Sequence, residues 1–108
     1  MTSLRPFEFA VLASVLTLGT DAHAMTIRAH LEQYLGRAPA RGALYTTLAR
    51  LEDKGLVRSR LGEPLPVRGG KARRYYAVTA AGQKSLARSR AELIDSSRGL
   101  VRLLEQLP

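Results

Sequence analysis

The sequence contains no cysteine, no tryptophan and only two histidines. Without cysteine the chain has neither disulfides nor thiolate chemistry, which fits a reducing compartment. We expect a cytoplasmic protein. His23 and His30 have no carboxylate partner at a spacing typical of metal ligands, and no serine lies in a nucleophile elbow. The sequence therefore predicts a protein that is not an enzyme and that holds neither metal nor cofactor.

Long apolar runs are also lacking. The longest stretch, residues 7–18, falls short of the roughly 20 residues that a membrane-spanning helix needs. With the A-x-A sequence at residues 22–24 it resembles a signal peptide, but Glu8 interrupts it near its start. We therefore expect a buried helix that is covered by more than one neighbour.

Acidic residues are scarce relative to basic ones, 9 against 17, which gives a net charge of +8. This charge is concentrated in one stretch. Residues 1–40 are neutral overall, residues 41–74 hold nine basic and three acidic residues for a net of +6, and residues 75–108 add +2. Such an excess attracts nucleic acid or an anionic membrane.

Helical patterns follow the first apolar segment. Thr20 and Asp21 are predicted to cap a second helix. The inward face of that helix is predicted to comprise Met25, Ile27, Leu31, Tyr34 and Leu35. In a third helix Leu44, Leu48 and Leu51 recur at helical spacing, and Lys54-Gly55 ends it.

Strand patterns come next. Residues 56–61 and 73–78 alternate as a β-hairpin does, and their connection, rich in proline, glycine and basic residues, is predicted to be an exposed loop. Thr79 can cap a last helix in which Leu86, Leu93, Leu100 and Leu107 recur every seven residues. We expect one structural domain, mainly α with a small β-hairpin: a winged helix-turn-helix at residues 1–79 and a long dimerisation helix at residues 80–108.

Two segments resemble the PadR family of bacterial transcriptional regulators. They are GALYTTLARLEDKGLV at residues 42–57 and GGKARRYYAVTAAG at residues 69–82. The resemblance implies a homodimeric winged-helix repressor that binds double-stranded DNA and responds to an unidentified small-molecule effector. The two-fold symmetry of such a dimer in turn predicts an inverted-repeat operator. The resemblance also implies that the first and last helices form the dimer. The residues expected there are Phe9, Leu12, Leu16, Leu86, Leu93, Ile94, Leu100 and Leu104.

The resemblance assigns the DNA contacts to the third helix and the wing. The residues expected to contact DNA are Arg41, Gly42, Tyr45, Thr46, Arg50, Arg68, Lys71 and Arg73. Tyr45 matches a family tyrosine that contacts the DNA backbone, although packing at the core edge is the alternative. Strand alternation sends Arg73 and Arg74 to opposite sides, and we favour Arg73 as the one that faces DNA. Two departures matter: Thr46 stands where many relatives have proline, and without tryptophan the chain lacks the stacking residues of some drug-binding relatives.

Other functions remain open. The main alternative is a winged-helix module that binds an acidic protein surface without specific DNA binding. RNA binding is disfavoured because aromatic residues make up only 6% of the chain and form no stacking platform.

Overall fold

A computed structural model describes residues 4–66 and 69–108 of the chain. Its helices are α1 (Pro6–Leu18), α2 (Ala24–Leu35), α3 (Arg41–Asp53) and α4 (Ala80–Glu105). The strands β1 (Val57–Leu61) and β2 (Arg74–Val78) form an antiparallel hairpin, and a single 3-10 turn at Gly19–Asp21 joins α1 to α2. The predicted fold class, mainly α with a small hairpin and a long last helix, is confirmed.

The helix α1 lies at the centre of the fold. It contacts α2, α3, β2 and the start of α4. Val11, Leu12 and Val15 are buried in the core that these elements share. Because several neighbours cover α1, nearly all of its sides are apolar.

The predicted start and inward face of α2 are wrong in part. The helix is capped by His23 rather than by Thr20 or Asp21, and the His23 backbone N–H donates to Thr26 Oγ1 at 3.0 Å. Ile27 and Leu31 are buried as predicted, whereas Met25, Tyr34 and Leu35 are exposed. Met25 lies about half a turn away from Ile27, and Tyr34 and Leu35 lie in the last turn, beyond the reach of the core.

The hairpin packs on the core through one edge and one face. Val57 and Tyr76 are buried, and the register pairs Ser59 with Tyr76. On its outer edge, β2 is held by a hydrogen bond from Tyr76 N–H to the Ala22 carbonyl at 2.9 Å. The hairpin is thus fixed beside the turn that precedes α2.

The helix α4 has two different parts. Thr79 caps it as predicted, because its Oγ1 accepts from Gly82 N–H at 3.1 Å. Gly82 and Leu86 are buried, whereas every residue from position 90 onward is exposed. A helix of this length spans about 39 Å, so most of α4 projects away from the core.

Gly82 marks the place where α4 touches the hairpin, and replacing it is expected to destabilise the fold. A Cβ at this position would lie well under 3.0 Å from the Leu56 carbonyl oxygen. Because backbone must move to relieve that clash, Gly82→Ala should lower the free energy of unfolding by about 1–3 kcal/mol in chemical denaturation.

Gly99→Ala is the matched control on the same helix. A Cβ there meets nothing within 4 Å, so alanine should raise helix stability by about 0.5–1 kcal/mol. Equal effects of the two substitutions would contradict a close contact at Gly82.

Candidate nucleic-acid interface

The helix α3 separates a buried side from an exposed one. Leu44, Thr47, Leu48 and Leu51 are buried. The predicted DNA-binding residues of this helix are all exposed: Arg41, Gly42, Tyr45, Thr46 and Arg50. At 100° per residue Gly42 and Thr46 lie opposite the buried leucines, Arg41 and Tyr45 lie on one flank, and Arg50 lies on the other. These five residues therefore occupy the solvent-exposed half of α3, with Arg41 and Arg50 at its opposite margins.

Tyr45 is 55% exposed, so more than half of its surface is accessible on α3. Its side chain lines a groove of about 320 Å³ between α2 and α3, together with Arg41 and Met25. Arg28 lies in the same groove, where its Nε donates to the Pro39 carbonyl at 2.8 Å. This bond fixes the turn that leads into α3, and hence the position at which the helix begins.

An ion pair between a buried carboxylate and a partly exposed lysine fixes the other end of α3. Lys54, the C-cap residue, lies 3.0 Å from Oε2 of Glu8 in α1, and Oε1 of Glu8 accepts from the Arg5 backbone N–H at 3.1 Å. Glu8 is only 5% exposed. Burial raises the pKa of Glu8, but the hydrogen bonds from Lys54 and Arg5 and the Lys54 charge outweigh it and hold the pKa below its ordinary value.

Removing the Lys54 ammonium is expected to destabilise the protein by about 1–3 kcal/mol at pH 7, because Glu8 would stay buried without its partner. In the wild-type protein the folded pKa of Glu8 is depressed. Its contribution is therefore fully present above about pH 5 and is lost as the pH falls through the folded pKa. Urea unfolding of Lys54→Met and wild type should differ most near neutral pH and converge in acid.

The double variant Glu8→Gln with Lys54→Met controls for lost packing. It should recover much of the loss at pH 7, because no charge is left buried. A gap between wild type and Lys54→Met that stays constant from pH 3 to pH 7 would show that the ion pair is not its cause.

A second polar network joins α3 to the hairpin. Oε2 of Glu52, in the last turn of α3, accepts from Ser59 Oγ at 2.8 Å and from Ser59 N–H at 3.2 Å. Arg74 Nη1 in β2 donates to the same Ser59 Oγ at 3.1 Å. Sequence reasoning missed Glu52 and Ser59, and it also missed the pair of Glu8 and Lys54, because no local pattern marks contacts between separate elements.

The wing carries the remaining predicted contacts. Lys71 is exposed and Arg73 is half-buried, whereas Arg68 lies outside the described residues. The pKa of His23 lies below its ordinary value. Burial is the main cause and the positive charge of Arg73 adds to it, whereas the Asp21 carboxylate raises the pKa. The Arg74 side chain is turned toward β1, where its Nη1 donates to Ser59 Oγ.

The predicted dimer residues divide into two groups. Leu12 and Leu86 are buried inside the protomer, so their placement at a dimer surface is corrected: they pack the core and offer no side-chain surface to a second chain. Phe9 is half-buried. The exposed members are Leu16, Leu93, Ile94, Leu100 and Leu104.

The described residues form neither a metal-binding cluster nor a membrane-spanning helix. Within residues 4–66 and 69–108, no three histidine, cysteine or acidic side chains are grouped in a way that could hold a metal ion. Ser14 Oγ and His30 Nδ1 lie 2.8 Å apart and join α1 to α2. None of the described helices has the length and apolar character needed to cross a bilayer.

Comparison with known proteins connects this arrangement to one family. The model of the transcriptional regulator PadR-like family matches residues 11–88. A PadR-family regulator structure from Eggerthella lenta is 28% identical, with a TM-score of 0.74 over 90% of this chain and 82% of that one. PadR-type structures from Bacillus cereus (19% identity, TM-score 0.76, 94% and 93% covered) and Clostridium difficile (22%, 0.73, 91% and 98%) share the fold. No curated protein matches the chain.

Proposed function

The chain belongs to the transcriptional regulator PadR-like family, and from this premise we propose that it represses transcription as a homodimer bound to an inverted-repeat operator. One observation carries the proposal: Arg41, Gly42, Tyr45, Thr46 and Arg50 share the exposed surface of α3. A recognition helix enters the major groove with its N-terminal residues on the base edges. Arg41 and Thr46 lie in the first half of α3, where base contacts are made.

The charge distribution supports binding to the DNA backbone. Residues 41–74, which span α3 and the hairpin, carry +6 of the net +8. Arginines that neutralise phosphates release counterions, so affinity should fall steeply as salt rises. In the wing, Lys71 and Arg73, with Arg68 beyond the described residues, would contact the adjacent minor groove or its phosphates.

A second copy of the chain is the proposed partner of α4. Leu93, Ile94, Leu100 and Leu104 are each at least 39% exposed on a helix that leaves the core. Their heptad spacing suits packing against another helix, with Leu16 and Phe9 of α1 at the margin of the contact. Two-fold symmetry would place two copies of α3 about 34–36 Å apart, one helical turn along the DNA, so the operator should be an inverted repeat.

Release of DNA by a small-molecule effector bound between the subunits is part of the proposal. Because the sequence contains no tryptophan, such an effector would not be held by stacking between indole rings. Repression in the cytoplasm by blocking promoter access completes the proposed role.

Mobility-shift titration tests the proposal. The purified protein is titrated against DNA from upstream of its own gene and against a scrambled fragment of equal length, at 50 and 200 mM salt. We expect preference for the upstream DNA and a steep loss of affinity for both fragments at the higher salt. Equal weak binding to both fragments at both salt concentrations would refute sequence-specific regulation, and sedimentation of a monomer at micromolar concentration would refute the dimer.

A further inference from the structure

The network around Ser59 lies close to the end of the contact between hairpin and core, one residue pair before Tyr75, which still contacts buried His23. Val57, two residues earlier in β1, is buried, whereas Leu61, two residues later, is 60% exposed. Beyond Ser59 the hairpin leads directly into the wing. The Glu52 carboxylate therefore ties α3 to β1 immediately before the strand leaves the core.

The two edges of the hairpin are held by different partners. The edge of β2 is fixed by the hydrogen bond from Tyr76 N–H to the Ala22 carbonyl. On the β1 side, Ser59 donates to Glu52 from both its backbone and its hydroxyl. Without Glu52 the β1 edge would lose its side-chain contact with α3, whereas the β2 edge would keep its contacts with Ala22 and His23.

The negative charge of Glu52 is unfavourable at this position for two reasons, which indicates that the residue has another role. Glu52 lies in the last turn of α3, where the helix dipole disfavours negative charge. It also lies within the stretch that holds the +6 excess, where it would repel DNA phosphates.

We propose that Glu52 is a positioning residue that fixes the angle between α3 and the wing, so that it increases discrimination between operator and random DNA at some expense in total affinity. This inference rests on the proposed DNA binding. A specific complex needs α3 in the major groove and the wing on the neighbouring backbone at the same time, and a rigid link raises the effective concentration of the second contact. Binding to random DNA depends mainly on charge and needs no fixed angle.

Three single variants of the full chain separate the tether from the charge. Glu52→Ala removes both. Ser59→Ala removes the hydroxyl bond of the tether, and the acceptor of Arg74, but keeps the backbone bond and the charge. Asp53→Ala removes an adjacent carboxylate for which the described residues offer no hydrogen-bond partner. We expect the ratio of operator to random-DNA affinity to fall about tenfold for Ser59→Ala, the effect of one hydrogen bond to a charged group, and further for Glu52→Ala, which loses both bonds. Random-DNA affinity should rise for Glu52→Ala and Asp53→Ala and stay constant for Ser59→Ala.

A measurement without DNA keeps this inference distinct from the proposed function. Because the chain has no native cysteine, spin labels on cysteines introduced at Gln33 in α2 and Glu63 in the wing report the position of the hairpin. The distance distribution between them should broaden in Glu52→Ala and Ser59→Ala and match the parent in Asp53→Ala. An unchanged distribution in the first two variants would overturn the tether, even if DNA binding is as proposed.

The ratio of operator to random-DNA affinity can also contradict the inference. If Glu52→Ala and Asp53→Ala change the ratio equally, Glu52 acts only through its charge and the inference is wrong. If the parent protein does not distinguish operator from random DNA, the proposed function fails and the role in discrimination fails with it, whatever the labels report.

Discussion

The double replacement of Arg41 and Arg50 by glutamate is expected to weaken operator binding at least about 100-fold. Each arginine contact to a base edge contributes about 1–3 kcal/mol, and reversed charges add repulsion from the phosphates. Both side chains are exposed on α3, and in the described part of the chain neither has an ion-pair or hydrogen-bond partner. The substitution should therefore leave thermal unfolding nearly unchanged while fluorescence anisotropy reports the loss of binding.

The control for this prediction is Lys84→Glu with Arg98→Glu on α4. It changes the net charge by the same amount, but the two side chains lie on the side of α4 away from the leucine series. We expect a loss of less than about tenfold, caused by the altered long-range field alone. If the α3 variant retains full DNA affinity and instead fails to bind a protein partner, the protein-interaction module is the correct interpretation of this surface.

Truncating Leu12 should have the largest effect on stability. The sequence placed this residue at the dimer surface, but it is fully buried within the protomer. Leu12→Ala removes three heavy atoms from a packed core and should lower the free energy of unfolding by about 2–5 kcal/mol. Urea unfolding followed by circular dichroism measures this loss, which should appear at every protein concentration because it arises within one chain.

Leu16→Ala is the matched control, one turn further along the same helix. Leu16 is 46% exposed, so its truncation should cost the isolated protomer less than about 1 kcal/mol. Any further effect should depend on protein concentration, as it does when a side chain lies at a dimer surface. If Leu12→Ala dissociates the dimer without lowering protomer stability, the burial of Leu12 is contradicted.

Much of this fold could be predicted because it depends on neighbours in sequence. The spacing of Leu44, Leu48 and Leu51 predicted α3 and its buried side, and both hold. Thr79 caps α4 as predicted, because an N-cap needs only a side-chain oxygen that accepts from a backbone N–H three residues later. Gly55 has φ +75° just after α3, as its position after a lysine suggested. The exposure of the five α3 candidates follows from the same periodicity.

The rest required the tertiary structure. Periodicity predicts that one side of a helix is apolar but not which element covers it, so Leu86 and Leu93 looked alike although only Leu86 is buried. Ion pairs such as that of Glu8 with Lys54, 46 residues apart, have no local pattern. The same holds for the bond between Glu52 and Ser59.

The sequence by itself therefore determined the order of helices and strands, the family resemblance and the location of the excess positive charge. The tertiary structure decided which leucines fill the core and which project on α4, and how α3 is fixed between α1 and the hairpin. The physical reason is the separation in sequence between the residues that make each contact. Helices, strands and caps form between residues a few positions apart, whereas burial and the Glu8 and Glu52 contacts exist only after distant segments have packed together.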